Sequence, residues 1–305
     1  MPDKFEISEW FKQLQDNICD ALSIADGNES SDKTKGHFIE DNWIRKEGGG
    51  GRSRVLQNGN IIEKGGVNFS AVYGKLPSKI IAELSLEDTE FYATGVSIVI
   101  HPHHPFIPII HMNVRYFEME NGVKWFGGGI DLTPHYIYPE DAGFFHQSLK
   151  ETCDRFDPGY YAGFKKWADD YFFIKHRDET RGIGGIFFDR LSANETFTIG
   201  DRFDFVKSVG ELFIPVYTSL MKKHQKSPYN DQHKNWQLLR RGRYVEFNLI
   251  YDKGTKFGLD TNGRIESILM SLPPLSAWPY DFFPFPGSEE ERTLKLLKKG
   301  INWIN

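Results

Sequence analysis

The fold is decided by two neighbouring stretches of sequence, ATGVSIVIH at residues 93–101 and PIIHMNVRYFE at residues 108–118. Hydrophobic and polar residues alternate in both, which is typical of β-strands that bury one face and keep the other polar. The short segment between them contains two prolines and predicts a turn. A third strand is predicted at residues 123–131, so these segments indicate an antiparallel sheet.

Periodicity elsewhere in the chain predicts helices around this sheet. The predicted helices are residues 1–25, 139–156, 158–176, 202–225 and 289–304. Further strands are predicted at residues 185–191 and 244–252, and the Asn262-Gly263 pair predicts a tight hairpin between residues 256–259 and 265–272. No internal repeat or linker divides residues 1–305. We therefore expect an α+β fold: a large, mostly antiparallel β-sheet flanked by α-helices in a single domain.

Bulk composition excludes several classes of protein. With 37 basic and 42 acidic residues the net charge is -5, so no overall positive field attracts nucleic acid or an anionic membrane. No apolar run approaches the roughly 20 residues of a membrane span, and residues 1–25 do not have the pattern of a targeting peptide. Cys19 and Cys153 have no metal or redox spacing, which predicts a reducing, cytoplasmic location. Residues 26–60 are expected to be partly flexible, with a mobile basic loop at the four glycines 48–51.

Strand alternation predicts one hydrophobic and one polar sheet face. The predicted polar positions are Ser97, His101, His111, Asn113, Arg115, Glu246 and Asn248. A polar face can simply contact water, which antiparallel sheets often do. Helical spacing, however, predicts that His146 and His176 also point inward. Four inward histidines suggest a site for proton transfer or for a metal, although their spacing matches no known metal motif.

Glycine and arginine supply the remaining signals. Three glycines at 127–129 allow a flat surface to approach, with Asp131 beside them, although a plain glycine-rich turn is an equally good interpretation. Arginines pair well with carboxylates. Arg115 is selected by its sheet face and Arg264 by its place after the predicted turn, whereas most other arginines are expected to be surface charges or partners of acidic residues.

Eight segments, taken in order, resemble the oxygen-dependent coproporphyrinogen III oxidase family. They are GGVNFS (65–70), ATGVSIVIHP (93–102), HMNVR (111–115), WFGGGIDLTP (125–134), KKW (165–167), RGIGGIFFD (181–189), RGRYVEFN (241–248) and ESILMSLPP (266–274). The resemblance implies oxidative decarboxylation of two propionates of coproporphyrinogen III to vinyl groups, giving protoporphyrinogen IX in haem biosynthesis. It also implies a homodimer, with dimer contacts largely from residues 244–279.

The same resemblance implies roles for individual residues. His111 would act as a proton donor and Asp131 would recognise the substrate, and we expect Asp131→Asn to reduce turnover far more than stability. Substrate contacts would come from Ser97, Asn113, Val114, Arg115, Asn262, Gly263 and Arg264, with Asn262 standing where many relatives have glycine. His101, His111, His146 and His176 are proposed metal ligands in bacterial members. The family reaction, in contrast, is usually described as needing O2 but no metal or organic cofactor, so a divalent metal remains an open alternative.

Two other functions are compatible with parts of the sequence. His176 and Asp178, with His224 or His233, imitate the two-histidine, one-carboxylate set of 2-oxoglutarate-dependent iron oxygenases. The aromatic residues and arginines would also suit a porphyrin carrier that performs no chemistry. Dependence on 2-oxoglutarate and release of CO2 under air distinguish these alternatives from an oxidase.

Overall fold

The computed structural model describes residues 2–27, 36–75, 89–260 and 263–304. A seven-stranded sheet has the order β1-β2-β3-β4-β5-β6-β9, and each neighbouring pair is antiparallel. Its strands are β1 (Phe38–Ile44), β2 (Gly49–Gln57), β3 (Ile62–Lys75), β4 (Glu90–Pro102), β5 (Ile109–Met119), β6 (Lys124–Thr133) and β9 (Gly184–Leu191). A small hairpin pairs β7 (Phe173–Ile174) with β8 (Glu179–Thr180). The predicted single α+β domain is confirmed.

Helices cover both faces and one edge of this sheet. Those in the described residues are α1 (Lys4–Ala25), α2 (Pro139–Asp154), α3 (Tyr160–Tyr171), α4 (Ile199–His224), α5 (Asp231–Ile250), α6 (Lys253–Asp260), α7 (Ile265–Leu269) and α8 (Glu289–Leu296). Over the part of the chain that is described, no helix has both the length and the apolar composition needed to cross a membrane.

The main hydrophobic core lies between α1, α2, α4 and the apolar face of the sheet. Val96 and Ile98 from β4 and Met112 and Val114 from β5 are fully buried there, as the alternation predicted. Burying one such side chain stabilises the fold by roughly 1.5–3 kcal/mol, so this face drives the packing. The opposite, polar face of the sheet carries the candidate active site.

Helix α5 packs on the polar face of the sheet. Its Tyr244 forms a small buried cluster with Val99 and Ile109, which are side chains of β4 and β5. Helix α3 covers the edge strand β9. Phe187 and Phe188 of this strand point to opposite faces of the sheet. Phe187 contacts Tyr171 of α3, and Phe188 contacts Phe164 of the same helix. The polar face is therefore enclosed by helices at one end and only partly buried in its middle.

The strand prediction for residues 244–252 was wrong, because residues up to Ile250 belong to helix α5. The local alternation of Val245, Phe247 and Leu249 favoured a strand, but only Phe247 of the three is buried. The helical signal lies further upstream, where the Asn230 side chain accepts from the backbone of His233 and caps the helix. Residues 244–252 do not include that cap, so their own pattern could not reveal the helix.

The predicted hairpin at Asn262-Gly263 was also wrong. Asn262 itself lies outside the described residues, but both flanks are helical, with α6 ending at Asp260 and α7 beginning at Ile265. The Gly263 amide donates to the Gly258 carbonyl at 2.8 Å, a bond that closes the end of α6 rather than a strand turn.

Three further boundaries differ from the predictions. Glycines 49–51 begin strand β2 rather than forming a loop, and a Cβ on Gly51 would come within 2.3 Å of the Trp43 ring. Helix α3 ends at Tyr171 and is followed by β7 and a 3-10 turn, Lys175–Arg177. The last helix ends at Leu296, eight residues before its predicted end at 304.

Candidate active site

The polar face of strands β4, β5 and β6 collects most of the predicted site residues. Ser97 pairs directly with Asn113, and His111 pairs with Asp131, so these four side chains share one face. This confirms the predicted division of faces. Val114 points the other way into the core and is fully buried, so only its backbone can face a ligand.

Strand register extends this face into a continuous row of small and polar side chains. Successive pairs across the sheet place Ser53, Asn68, Ser97, Asn113 and Gly129 side by side. These residues are short, so they form a shallow floor, of which Asn68, Ser97 and Asn113 are partly exposed while Ser53 and Gly129 are buried. Asp131 and His111 lie two positions along their strands from Gly129 and Asn113, at one side of this floor.

The centre of the site is a hydrogen-bonded chain of three residues. His111 Nδ1 lies 2.7 Å from Asp131 Oδ1, and Arg181 Nη2 donates to Asp131 Oδ2 at 2.6 Å. Asp131 is 1% exposed and Arg181 3%, whereas the His111 side chain is 23% exposed. Asp131 therefore lies behind His111, and His111 is the member of the chain that can reach a ligand.

The charge state of Asp131 follows from its partners. Burial alone would raise the pKa of this carboxyl, but the charge of Arg181 and the hydrogen bond from His111 outweigh burial and hold the pKa below its usual value. At neutral pH Asp131 is an anion that can only accept hydrogen bonds, so His111 Nδ1 carries a hydrogen and Nε2 is the ring nitrogen that remains for a ligand.

Arg181 was not singled out from the sequence, although it begins one of the quoted motifs. Its guanidinium lies 4.3 Å from the Phe172 ring centroid and 4.8 Å from those of Tyr244 and Phe247. Its Nη1 donates to Asn248 Oδ1 at 3.0 Å. Asn248 was predicted to reach the site from a strand, and it does so from helix α5 instead.

Close backbone packing holds Asp131 in place. β9 runs beside it with Gly185 as its register partner, and a Cβ at residue 185 would come within 2.0 Å of the Ile130 carbonyl oxygen. Gly127 similarly leaves room for Asp189, whose Oδ1 lies 3.0 Å from Arg115 Nη2. Arg115 also donates to Asn113 Oδ1 at 2.9 Å, so its guanidinium is held at the edge of the floor.

Arg264 lies at the other end of the same floor. It forms an ion pair with Asp41 of β1 and donates to the Ser267 hydroxyl at 3.1 Å. Ser267 in turn contacts Ser53 Oγ at 3.0 Å and accepts from Asn68 at its carbonyl. Four strand spacings, on the order of 19 Å, separate Asp41 on β1 from Arg115 on β5, so Arg264 and Arg115 lie at opposite ends of the floor.

The remaining histidines have separate surroundings. His101 is fully buried and its Nε2–H donates to the Ser271 carbonyl at 2.8 Å; burial, assisted by the charge of Arg241, lowers its pKa to about 3. His146 donates to the Ile183 carbonyl at 3.0 Å and accepts from the Tyr161 hydroxyl. The prediction that His176 faces inward was wrong: it is exposed and bonds to Glu246 and Tyr251.

These four histidines do not fit a shared metal centre. Across the described ranges, no group of three or more His, Cys, Asp or Glu side chains is arranged to hold a metal ion. His146 and His176 each have both ring nitrogens in bonds to other groups of the protein. His111 alone among them belongs to the chain of residues built around Asp131.

Comparison with protein-family models identifies the chain's relatives. The model for coproporphyrinogen III oxidase matches residues 6–303 of the 305-residue chain. The chain belongs to the coproporphyrinogen III oxidase family. It is therefore an enzyme of porphyrin biosynthesis whose substrate is a coproporphyrinogen.

Proposed function

We propose that this member of the family uses molecular oxygen to convert two propionates of coproporphyrinogen III into vinyl groups, giving protoporphyrinogen IX for haem synthesis. The observation that carries the proposal is the position of His111, backed by buried Asp131 and facing a shallow floor that has an arginine at each end. This arrangement suits an electron-rich macrocycle with carboxylates at its rim.

Substrate binding is proposed to depend on charge at the two ends of the floor. Coproporphyrinogen III carries four carboxylates, and arginine binds carboxylates through paired donors. Arg115 and Arg264 are each partly exposed, so each can turn a donor towards a bound carboxylate. Ser97 and Asn113 lie between them and supply hydrogen-bonding groups to the ring system.

The proposed chemistry balances with O2 as the oxidant. A base removes a pyrrole N–H proton, and a carbon of the resulting electron-rich ring bonds to O2 to form a ring-bound peroxide. The peroxide takes a β-hydrogen of the propionate as a proton, and its bond to the ring breaks to release hydrogen peroxide. The carboxylate then leaves as CO2, its bonding electrons complete the vinyl group, and the pyrrole nitrogen regains a proton. Each propionate, with one O2 and one proton, thus gives one vinyl group, one CO2 and one hydrogen peroxide. His111 Nε2 is the group on the chain placed to exchange these protons. Asp131 stabilises the imidazolium that His111 becomes when it takes up a proton.

A direct assay tests this function and its alternatives. Coproporphyrinogen III labelled in its propionate carboxyls is incubated with the enzyme under air and under argon, after exhaustive chelation and without 2-oxoglutarate. We expect two labelled CO2 per substrate under air and none under argon. Activity that requires 2-oxoglutarate or added metal, or that continues under argon with another electron acceptor, would refute the proposal. Binding without CO2 release would indicate a carrier.

Arg115 offers a test of carboxylate recognition. Arg115→Gln removes a charged donor while its neighbour Asp189 remains, so we expect KM for coproporphyrinogen III to rise about 10- to 100-fold with a smaller change in kcat. Arg292→Gln is the matched control, because Arg292 is an exposed arginine that pairs with Glu289 on α8. Steady-state kinetics on both variants decide the matter, and an unchanged KM in Arg115→Gln would exclude this anchor.

A homodimer is proposed from the exposed aromatic residues that follow α7. Tyr280 is 100% exposed, Phe283 77% and Phe285 79%, an unusual density of large apolar side chains on a surface. Tyr244 and Phe247, by contrast, are buried within the chain. Leu249, Ile250, Ile265, Leu275 and Trp278 are exposed, so the proposed dimer surface remains the predicted segment 244–279 and extends to the aromatic residues up to 285. Light scattering that gave a monomer mass would contradict it.

A cytoplasmic location remains part of the proposal. Cys19 and Cys153 are both free and buried, which suits a reducing compartment. Fractionation that recovered the native protein only from an oxidising compartment would oppose this assignment.

A further inference from the structure

Arg181 is held in one position by its backbone, by three aromatic rings and by two side-chain hydrogen bonds. Its backbone N–H donates to the Phe172 carbonyl at 2.8 Å, and its side chain is 3% exposed. The rings of Phe172, Tyr244 and Phe247 surround the guanidinium and exclude water from it. An arginine caged by aromatic rings keeps its charge in a region of low dielectric, so its attraction to a nearby carboxylate is strong.

The charge of Arg181 is directed at Asp131. The 2.6 Å bond from Nη2 to Oδ2 occupies one carboxylate oxygen, and the other oxygen faces His111 Nδ1. Asn248 Oδ1 accepts from Nη1 and prevents the guanidinium from rotating away. In the described part of the chain, the side chains of Arg181 and Asn248 form no hydrogen bond or ion pair with the floor residues Ser97, Asn113 or Arg115, and Asp131 is the member of the site that Arg181 bonds to.

We propose that Arg181 and Asn248 are positioning residues of the reaction: through Asp131 they fix the Nδ1–H tautomer of His111 and hold its Nε2 ready to exchange a proton with the substrate. This positioning role rests on the proposed function, because a loss of turnover is one of the effects by which it is tested. Asn248 on helix α5 and Arg181 in the segment after β8 would thus contribute to the chemistry without contacting the substrate.

The pH dependence of the site follows from the same contacts. The titratable or charged groups around the Asp131–Arg181 pair are His111 from β5, His101 from β4, Tyr244 from α5 and Asp252 beyond it. Without Arg181, burial would act on Asp131 with less opposition and its pKa would rise. Since the hydrogen-bonded pair of His111 and Asp131, called the dyad below, needs Asp131 ionised, the acid limb of the activity profile would move to higher pH.

The experiment compares Arg181→Met, Arg181→Lys and Asn248→Leu with the matched control Arg241→Met. Arg241 is an equally buried arginine with a 2.6 Å bond to Glu63, and that pair lies outside the dyad. We expect kcat to fall about 100-fold in Arg181→Met with KM within about threefold, and the acid limb to move upward. Arg181→Lys should recover part of kcat and restore the acid limb. The control should keep both.

The tautomer of His111 is read separately from activity. Nitrogen-15 spectra of the histidine-labelled protein should show the Nδ1–H form in the wild type and a tautomer mixture in Arg181→Met and Asn248→Leu. An unchanged tautomer together with an unchanged acid limb would overturn the proposal. If Arg181→Met does not fold, Asn248→Leu gives the tautomer comparison with the buried charges still balanced, and Arg181→Lys is the reference variant that keeps the charge. Failure of the CO2 assay in the wild type would reject the proposed function, while the spectra would still test the positioning role.

Discussion

The Asp131→Asn variant is expected to lose turnover by about 100- to 1,000-fold and also to unfold more easily, by about 3 to 5 kcal/mol. Turnover falls because a neutral amide can present a donor to His111 and favour the wrong tautomer. Stability falls because Arg181 would keep its buried charge without a counter-ion. Sequence reasoning led us to expect a loss of turnover with little loss of stability, and the buried ion pair changes that expectation.

Urea denaturation and CO2 release measure the two effects independently. The double variant Asp131→Asn with Arg181→Met removes both charges, so it should regain much of the lost stability but none of the turnover. The stability difference between wild type and Asp131→Asn also depends on pH. Because the folded pKa of Asp131 is depressed, its contribution is present above the unfolded pKa of about 3.9 and is lost as pH falls through the lower folded value. Normal CO2 release by Asp131→Asn would exclude the dyad.

Replacing His111 with alanine is expected to lower kcat about 100- to 1,000-fold while changing KM much less. The ring is the partly exposed end of the dyad, so its loss removes the proton-exchanging group but leaves Ser97, Asn113 and Arg115 to bind substrate. Deleting the ring also opens space beside Asp131 Oδ1, where added imidazole can bind. We therefore expect millimolar imidazole to restore part of the turnover.

His176→Ala is the matched control for that variant. His176 is exposed, and its side chain forms hydrogen bonds to Glu246 and Tyr251, neither of which belongs to the dyad. It should retain turnover close to that of the wild type. Equal losses in His111→Ala and His176→Ala, each reversed by added metal, would instead favour the histidine metal site implied by the family resemblance. Full turnover in His111→Ala would exclude His111 as the proton-exchanging residue.

The sequence by itself determined which residues share the polar sheet face. Successive side chains of a strand must point to opposite faces, so the alternation in β4 and β5 placed Ser97, Asn113 and Arg115 together without knowledge of the fold. The inward position of His146 was also predictable, because it occupies the buried stripe of α2 with Phe145 and Leu149. Both properties are local, and local geometry can be read from spacing.

Only the tertiary structure decided how that face becomes a site. Asp131, Arg181 and Asn248 are separated by 50 and 67 positions along the chain, and they meet because α5 packs on the polar face. Residues 244–250 have spacing compatible with either a strand or a helix, and long-range packing together with the cap at Asn230 selected the helix. The same packing buries Asp131 behind His111. The family resemblance implied that Asp131 recognises the substrate, and we propose that it acts through the histidine in front of it, because its burial and ion pairing depend on distant residues.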